Sequence, residues 1–302
     1  MKNMILLIPA ISLWQLFAAP ELKIKTITSD LSRQQIASAY QLNPADGADN
    51  YTANPIPAPR HRFTVIAHRG DHVLFPENTL AAYEQAIKHG ADYVEIDLRT
   101  TKDGELVSLH DARIDRMTND TGMVKNKMLA DIEKLSIKTK DKTLNLHIPT
   151  FKQILALCKN KIYIYIDFKE ADPAVVYPLL KQYGMEKQVL VYINKPEQFT
   201  QWRAVAPQMP LMLSLPDDVK DSVTLMRFMD QYHPDVLDGD FKQYNNELVA
   251  WAKKHHLPAW PDGQSGAEGP EVWDMAVARG LTGLQTDHPE AFINYLTQKG
   301  LR

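Results

Sequence analysis

Short runs of apolar residues alternate with longer amphipathic segments through most of the chain. The runs have strand length and are rich in β-branched and aromatic residues, whereas the segments between them repeat apolar residues every three or four positions, as helices do. The candidate strands are Phe63–Ala67, Tyr93–Leu98, Ile162–Phe168, Val189–Tyr192, Leu211–Ser214, Asp235–Asp238, Pro258–Trp260 and Leu284–Thr286. Eight strands with intervening helices over ~240 residues predict an α/β fold, a (β/α)₈ TIM barrel.

A further run, Glu105–Asp111, interrupts this alternation. Only "RTTKDG" separates it from the second strand, which is too short for a parallel crossover, so the two predict a hairpin with Asp-Gly at its tip. In that register Lys102 pairs with Glu105, and Asp97 lies opposite His110 on the same face. A one-residue shift would move His110 to the other face.

The first 60 residues have a different composition. Residues 1–19 combine Lys2, an apolar run and small residues at the end, which predicts a secretory signal peptide or an N-terminal anchor and therefore an exported, periplasmic or secreted, protein. Residues 20–60 predict a short helix and a Pro-rich linker. Residues 61–302 then form the barrel domain, with a small insertion at about 99–149 above the barrel mouth.

Composition and charge exclude several classes. The chain of 302 residues is 44% hydrophobic and 24% charged, as in ordinary globular domains. A net charge of −3 with scattered Lys and Arg gives no basic surface for nucleic acid. The single cysteine, Cys158, excludes an intrachain disulfide and a thiolate metal cluster, and its apolar helical surroundings predict a buried, inert thiol.

Two carboxylates stand on one face of the second strand. Glu95 and Asp97 are two residues apart and therefore project to the same side, which must be the barrel interior because helices cover the outside. Buried like charges are costly unless a cation joins them. Oxygen ligands without Cys or HxxxH spacing favour Ca²⁺ or Mg²⁺ over Zn²⁺. A structural network with Lys or Arg is the alternative.

The neighbouring strands add groups of the same kind. Asp167 and Lys169 share one face of "IYIYIDFKE", which supplies a third acid and a cation suited to phosphate. His68 and His110 stand at strand ends and are the candidate proton carriers, since imidazole titrates near neutrality. Arg69 offers a planar donor fork to a phosphate oxygen.

The residues that follow the first strand include structural positions as well as candidate chemical groups. Gly70 lets the backbone turn tightly towards a ligand. Asn78 is predicted to cap the following helix, and neither it nor Glu77 is assigned a catalytic role. A strand that ends in His-Arg-Gly therefore indicates an active-site mouth.

These polar positions carry a family resemblance. The stretch "AHRG…PENTLAAYEQAIKHGADYVEIDLRTTKDGELVSLHD…RMTNDTG" resembles the glycerophosphodiester phosphodiesterase family, and the likeness resumes at "IPTFKQIL", "YIDFK" and "GLQTDHPE". The resemblance implies a (β/α)₈ barrel with an insertion after the second strand, one divalent cation (Ca²⁺ or Mg²⁺), and cleavage of a small glycerophosphodiester to glycerol 3-phosphate and an alcohol. Water or the neighbouring glycerol hydroxyl is the attacking group.

The resemblance also implies roles for individual residues. His68 and His110 form the acid–base pair, and Arg69 binds phosphate. The metal ligands are Glu95, Asp97 and Asp167, of which Asp167 stands where the family usually has Glu. Lys169 and Trp260 complete the substrate site, although "AWPDG" departs from the family's Trp-Thr-Val-Asn.

Two other functions stay open at this stage. One is phospholipase-like cleavage of a lysophospholipid or phosphoinositide on the same barrel, with peripheral membrane contact through the N-terminal segment. The other is an inactive barrel that only binds phosphodiesters, which the presence of both histidines and three acids disfavours.

Overall fold

The computed structural model describes residues 53–302. The predicted signal or anchor at 1–19 and most of the segment 20–60 lie outside the described residues. None of the helices formed by the described residues is long and apolar enough to cross a membrane.

The strands form one parallel sheet with a single antiparallel addition, and residues 258–263 close it into a barrel. The order is β7-β6-β5-β4-β2-β1-β8, and β3 pairs with β2 in the antiparallel direction. The bounds are β1 Thr64–Ala67, β2 Tyr93–Thr100, β3 Leu106–Ser108, β4 Tyr163–Glu170, β5 Val189–Ile193, β6 Leu211–Ser214, β7 Val236–Asp238 and β8 Gly283–Thr286. The predicted (β/α)₈ barrel is confirmed.

The eighth position of the barrel is taken by an extended segment, Pro258–Gly263, instead of the expected strand Pro258–Trp260. Trp260 N–H donates to the Leu237 carbonyl at 2.9 Å, and Gly263 N–H donates to the Gln285 carbonyl at 2.9 Å, so the segment joins β7 to β8. Only isolated bridges form, because prolines at 258 and 261 have no N–H for a regular ladder.

Helices follow the strands around the barrel. They are α1 Leu80–His89, α2 Leu129–Ile132, α3 Phe151–Cys158, α4 Pro173–Tyr183, α5 Pro196–Val205, α6 Ser222–Tyr232, α7 Asn246–Lys254, α8 Pro270–Ala278 and α9 Pro289–Gln298. Thr79, not Asn78, caps α1: its hydroxyl accepts the Ala82 N–H at 3.2 Å. The expected cap was therefore wrong by one residue, and the Asn78 side chain is used elsewhere.

The hairpin register differs from the predicted one by a single residue. Leu98 lies opposite Ser108, and Asp97 faces Leu109 rather than His110. The turn has three residues instead of two, because the Thr101 hydroxyl accepts the Glu105 N–H at 3.1 Å and donates to Asp103 at 2.6 Å. Three-residue turns with a left-handed glycine, here at φ 83°, are a regular hairpin type.

The segment between β2 and α3 has a small hydrophobic core of its own. Its buried residues are Val107, Leu109, Ile114, Met117, Val124, Ile132, Ile137 and Ile148. This cluster holds the connection that follows β3, which carries His110, beside the barrel.

The floor of the barrel interior is apolar and aromatic. Trp260 is 1% exposed and packs against Tyr93, with ring centroids 5.4 Å apart. The indole fits only because residue 283 is glycine: a Cβ there would lie 2.4 Å from Trp260 Cδ1. The Trp260 side chain is thus enclosed two residues along the strand before the polar mouth begins, and the substrate-binding role expected for it stays a prediction.

Candidate active site

Polar side chains face inward where the barrel strands end. His68 follows β1, Glu95 and Asp97 lie on β2, and Asp167 and Lys169 lie on β4. Because β2 pairs with β4 in a register that sets Asp97 beside Asp167, the three carboxylates meet at one side of the mouth. The proximity predicted from alternation along the strands is thus observed.

The carboxylates form a crowded, buried group. Glu95, Asp97 and Asp167 each place an oxygen within 4.8 Å of the others. Burial raises the pKa of Glu95 well above its ordinary value, and the charges of Asp97 and Asp167 raise it further. Burial and Asp97 likewise raise the pKa of Asp167. The group therefore favours a cation between its oxygens.

One oxygen of this group lacks a hydrogen bond. Asp97 Oδ1 is buried and has no hydrogen-bond partner among residues 53–302, and the nearest cation, Lys169 Nζ, stands 3.4 Å away as an ion pair. A buried carboxylate oxygen without a hydrogen bond, beside two further acids, is the donor arrangement that Ca²⁺ or Mg²⁺ prefers. The residues present thus fit a hard divalent cation.

A tight turn brings Arg69 over the carboxylates. Its backbone N–H donates to Glu95 Oε2 at 2.6 Å, and its Nε lies 3.6 Å from Asp97 Oδ2. Arg69 adopts φ 53°, and Gly70 follows at φ 85° with the Ala82 backbone 2.9 Å from the position of a Cβ. Only glycine allows this close approach to α1.

Asn78 supports the group of three carboxylates, a role that the sequence analysis missed. Its Nδ2 donates to Asp97 Oδ2 at 2.7 Å, while its Oδ1 accepts hydrogen bonds from Tyr83 at 2.9 Å and Ser108 at 2.7 Å. The sequence contains one indication of this role: Thr79 can itself cap the helix, so the Asn78 side chain is not needed as a cap.

Lys169 and Asn194 surround the third acid. Lys169 Nζ lies 2.5 Å from Asp167 Oδ2, and Asn194 Nδ2 donates to Asp167 Oδ1 at 2.6 Å. Burial lowers the pKa of Lys169, but Asp167 and Asp97 outweigh it, so the pKa is raised and the side chain stays charged.

Each candidate catalytic histidine has a carboxylate on Nδ1. His68 Nδ1 lies 2.7 Å from Asp287 Oδ1, and His110 Nδ1 lies 2.9 Å from Asp111 Oδ1. When Nδ1 carries the proton for such a bond, Nε2 is the nitrogen left to exchange protons. Both imidazoles are thereby oriented for acid–base chemistry.

Ion pairs connect the loop that carries His110 to Arg69. Asp111 Oδ2 accepts from Arg116 Nε at 2.7 Å, Arg116 Nη2 donates to Glu77 Oε1 at 2.8 Å, and the same Glu77 oxygen accepts from Arg69 Nη1 at 3.0 Å. The hydrogen bond from Arg116 holds the pKa of Asp111 at about 2. Glu77 therefore ties the insertion to the β1 loop.

Asp287 holds His68, and it too was missed. It lies in "GLQTDHPE", directly after β8, where its Oδ1 contacts His68 and also His72 Nε2 at 3.0 Å. Burial raises the pKa of Asp287, but hydrogen bonds from the two histidines bring it well below its ordinary value. Its backbone N–H donates to Glu268 Oε2 at 2.9 Å. His68, His72 and Asp287 also have the composition of a metal site, but here both imidazoles contact the same oxygen, Oδ1 of Asp287.

The family relationship follows from comparison of the whole domain. A model of the glycerophosphoryl diester phosphodiesterase family matches residues 68–291. The chain belongs to this family. The predicted enzyme class, a phosphoric diester hydrolase that acts on glycerophosphodiesters, is confirmed.

Individual relatives and structures agree with this placement. A glycerophosphodiester phosphodiesterase of Caldanaerobacter subterraneus is 32% identical over 78% of this chain and 98% of the relative, and one of Bacillus subtilis is 30% identical over 76% and 85%. A crystal structure from Agrobacterium tumefaciens has a TM-score of 0.69 at 26% identity, covering 77% of this chain and 99% of that one. An Oleispira antarctica phosphodiesterase in complex with the product sn-glycerol-3-phosphate shares the fold, with a TM-score of 0.68 at 21% identity and coverages of 78% and 96%.

Replacement of Asp287 tests its role as the positioning residue of His68. Asp287→Asn keeps the size but presents an amide that can donate to Nδ1 and so favours the wrong tautomer. We expect kcat to fall by roughly 10²-fold, the lower range of general acid–base catalysis, with little change in KM. Steady-state kinetics with a thermal unfolding scan measure both. Glu271→Gln, an exposed acid on α8, is the charge control. A KM that changes as much as kcat, or loss of the folded state, would contradict the assignment.

Proposed function

We propose that His68 and His110 act as the acid–base pair of the diesterase reaction, and that Glu95, Asp97 and Asp167 hold one divalent cation, Ca²⁺ or Mg²⁺. The observation that carries this proposal is the buried group of three carboxylates, in which Asp97 Oδ1 lacks a hydrogen bond. His68, whose Nδ1 is fixed by Asp287, directly precedes the residue whose backbone N–H donates to Glu95. When bound, such a cation neutralises phosphate charge and holds the diester in place.

The surrounding cations complete a phosphate site. Arg69 and Lys169 are charged, stand beside the carboxylate group and are only partly exposed, at 19% and 18% of their side chains. Both can turn donors towards phosphate oxygens, Arg69 as a planar fork and Lys169 as a point charge. In the reaction one imidazole accepts the proton of the attacking oxygen, and the other protonates the leaving alkoxide. The products are glycerol 3-phosphate and an alcohol, in keeping with the product complex of the Oleispira antarctica protein.

Substitution of the histidines is the direct test of the acid–base pair. His68→Ala and His110→Ala should each lower kcat by about 10²–10⁴-fold, and the double variant should be hardly worse than either single one, because the two act as a unit. Release of glycerol 3-phosphate from glycerophosphocholine, coupled to a dehydrogenase, measures the rate. His147→Ala, an exposed histidine of the insertion, is the control. Substantial turnover by either folded single variant rules the pair out.

The lysophospholipid alternative has one supporting feature. Val73 and Leu74, in the loop after β1, are 59% and 74% exposed, so the rim of the mouth offers an apolar contact to a lipid chain. The same coupled assay with lysophosphatidylcholine in parallel separates the two substrates, and we expect glycerophosphocholine to be the better one.

Metal titration separates the roles of Asp167 and Lys169. Asp167→Asn should raise the Ca²⁺ or Mg²⁺ concentration for half-maximal activity by about 10- to 100-fold and change KM less, whereas Lys169→Ala should do the reverse. Chelation should stop turnover of the unmodified enzyme, and the cation should restore it. Glu170→Gln, on the same strand but paired with Arg99 at 3.3 Å, should change neither. An unchanged metal titration for Asp167→Asn means that Asp167 is not a ligand.

We also propose that the protein is exported, on the basis of the basic start and apolar run in residues 1–19. Fractionation of cells followed by intact-mass measurement tests this. Full-length protein confined to the cytosol would contradict it.

A further inference from the structure

A second buried acidic group lies across the barrel mouth from the metal-ligand carboxylates. It comprises Asp238 at the end of β7, Asp262 in the closing segment and Gln285 on β8, and we call it the acidic wall. Asp238 and Gln285 are 2% and 4% exposed. Gln285 Nε2 donates to Asp262 Oδ1 at 2.6 Å, and Ser214 Oγ donates to Asp238 Oδ2 at 2.9 Å. The roles assigned to the first acidic group do not use any of these residues.

The acidic wall has hydrogen-bond acceptors without donors. Asp238 Oδ1 and Gln285 Oε1 are buried and have no hydrogen-bond partner among the described residues, and the same holds for Oε1 of the adjacent Gln264. Gln285 is turned into the group by its bond to Asp262. All of these unpaired atoms are acceptors, so a ligand that fits this group must donate hydrogen bonds.

The acidic wall also lacks positive charge. No Lys, Arg or His of residues 53–302 forms an ion pair with Asp238 or Asp262, whereas Asp97, Asp167 and Asp287 each have at least one. Burial raises the pKa of Asp238 well above its ordinary value, and the nearby charge of Asp262 raises it further. Two buried acids without an ion-pair partner among the described residues favour a ligand that is itself a cation.

The position of the acidic wall places it beside the reacting groups. Burial raises the pKa of Asp262, and a hydrogen bond from Gln264 and the charge of the nearby His68 offset only part of that rise. Gln285 directly precedes Thr286, whose backbone carbonyl accepts a hydrogen bond from the backbone N–H of His68 at 3.0 Å. The acidic wall therefore borders the same barrel mouth as the proposed phosphate site.

We propose that the acidic wall is the subsite for the alcohol end of the substrate and that it selects a head group with a primary ammonium, as in ethanolamine. This inference rests on the proposed function of the site. A primary ammonium supplies both a positive charge and three N–H donors. A quaternary ammonium supplies the charge without donors, and a polyol supplies donors without the charge, so each meets only half of the requirement.

The experiment compares three substrates on the full-length enzyme with its metal. They are glycerophosphoethanolamine, glycerophosphocholine and glycerophosphoglycerol, and glycerol 3-phosphate release measures kcat/KM for each. The unmodified enzyme should prefer the ethanolamine ester. Asp238→Asn and Asp262→Asn should each lower kcat/KM for that ester by about 10- to 100-fold, as expected for one charge-assisted hydrogen bond, and leave the glycerol ester within about twofold.

Two controls separate recognition from folding. Asp218→Asn removes one charge from the exposed loop after β6 and should leave all three substrates unchanged. Because Asn relieves repulsion between two buried acids, the unfolding temperature of the Asp238 and Asp262 variants should hold or rise, whereas a purely structural role would lower it.

The outcomes distinguish this inference from the proposed function. If the unmodified enzyme releases glycerol 3-phosphate from all three esters without preference, or if the variants slow all three equally, the subsite assignment is wrong and the diesterase mechanism stands. If the enzyme releases it from none of them, the proposed function fails, and the subsite fails with it.

Discussion

The structure of the barrel mouth depends on how the repulsion among its buried carboxylates is offset. Glu95 and Asp97 must face inward because they alternate with the apolar residues that pack under the helices, and pairing of β2 with β4 adds Asp167 beside them. Burial makes the like charges costly, which raises the pKa of Glu95 and Asp167. The arrangement persists because cations and donors surround it, and it remains incomplete at Asp97 Oδ1.

The neighbouring loops are shaped by this need for positive charge and donors. The left-handed turn at Arg69 points its backbone N–H at Glu95 and its guanidinium at Asp97. The side chain of Asn78 does not cap the helix and instead donates to Asp97. Glu77 then balances Arg69 and extends the network to the insertion through Arg116. The proposed catalytic positions and the structural ion pairs are therefore parts of one network, and we expect a substitution at one of them to affect the others.

The barrel separates its apolar floor from its polar mouth within a few residues. Tyr93 and Trp260 fill the floor, and Glu95 and Asp262 stand two residues further along the same inward faces. Such layering gives the polar groups a buried, apolar base, so their electrostatic interactions are strong. The mouth contains two acidic groups of different character: one forms ion pairs with Arg69 and Lys169, and the other forms none with the described residues.

Most of the fold and of the site could be predicted from the alternation of apolar and polar residues along the strands. This local periodicity predicts the barrel, the inward-facing acids on β2 and β4, and the histidines at strand ends. Local pattern failed wherever one residue of register or a distant partner decided the outcome. Thr101 lengthened the hairpin turn and set Leu109 opposite Asp97, and Thr79 took the cap that Asn78 was expected to provide. Asp287 meets His68 across 219 positions of chain, and Trp260 is enclosed because residue 283 is glycine. Periodicity reports the face on which a side chain lies, whereas only the closed barrel decides which side chains from different strands come within hydrogen-bonding distance.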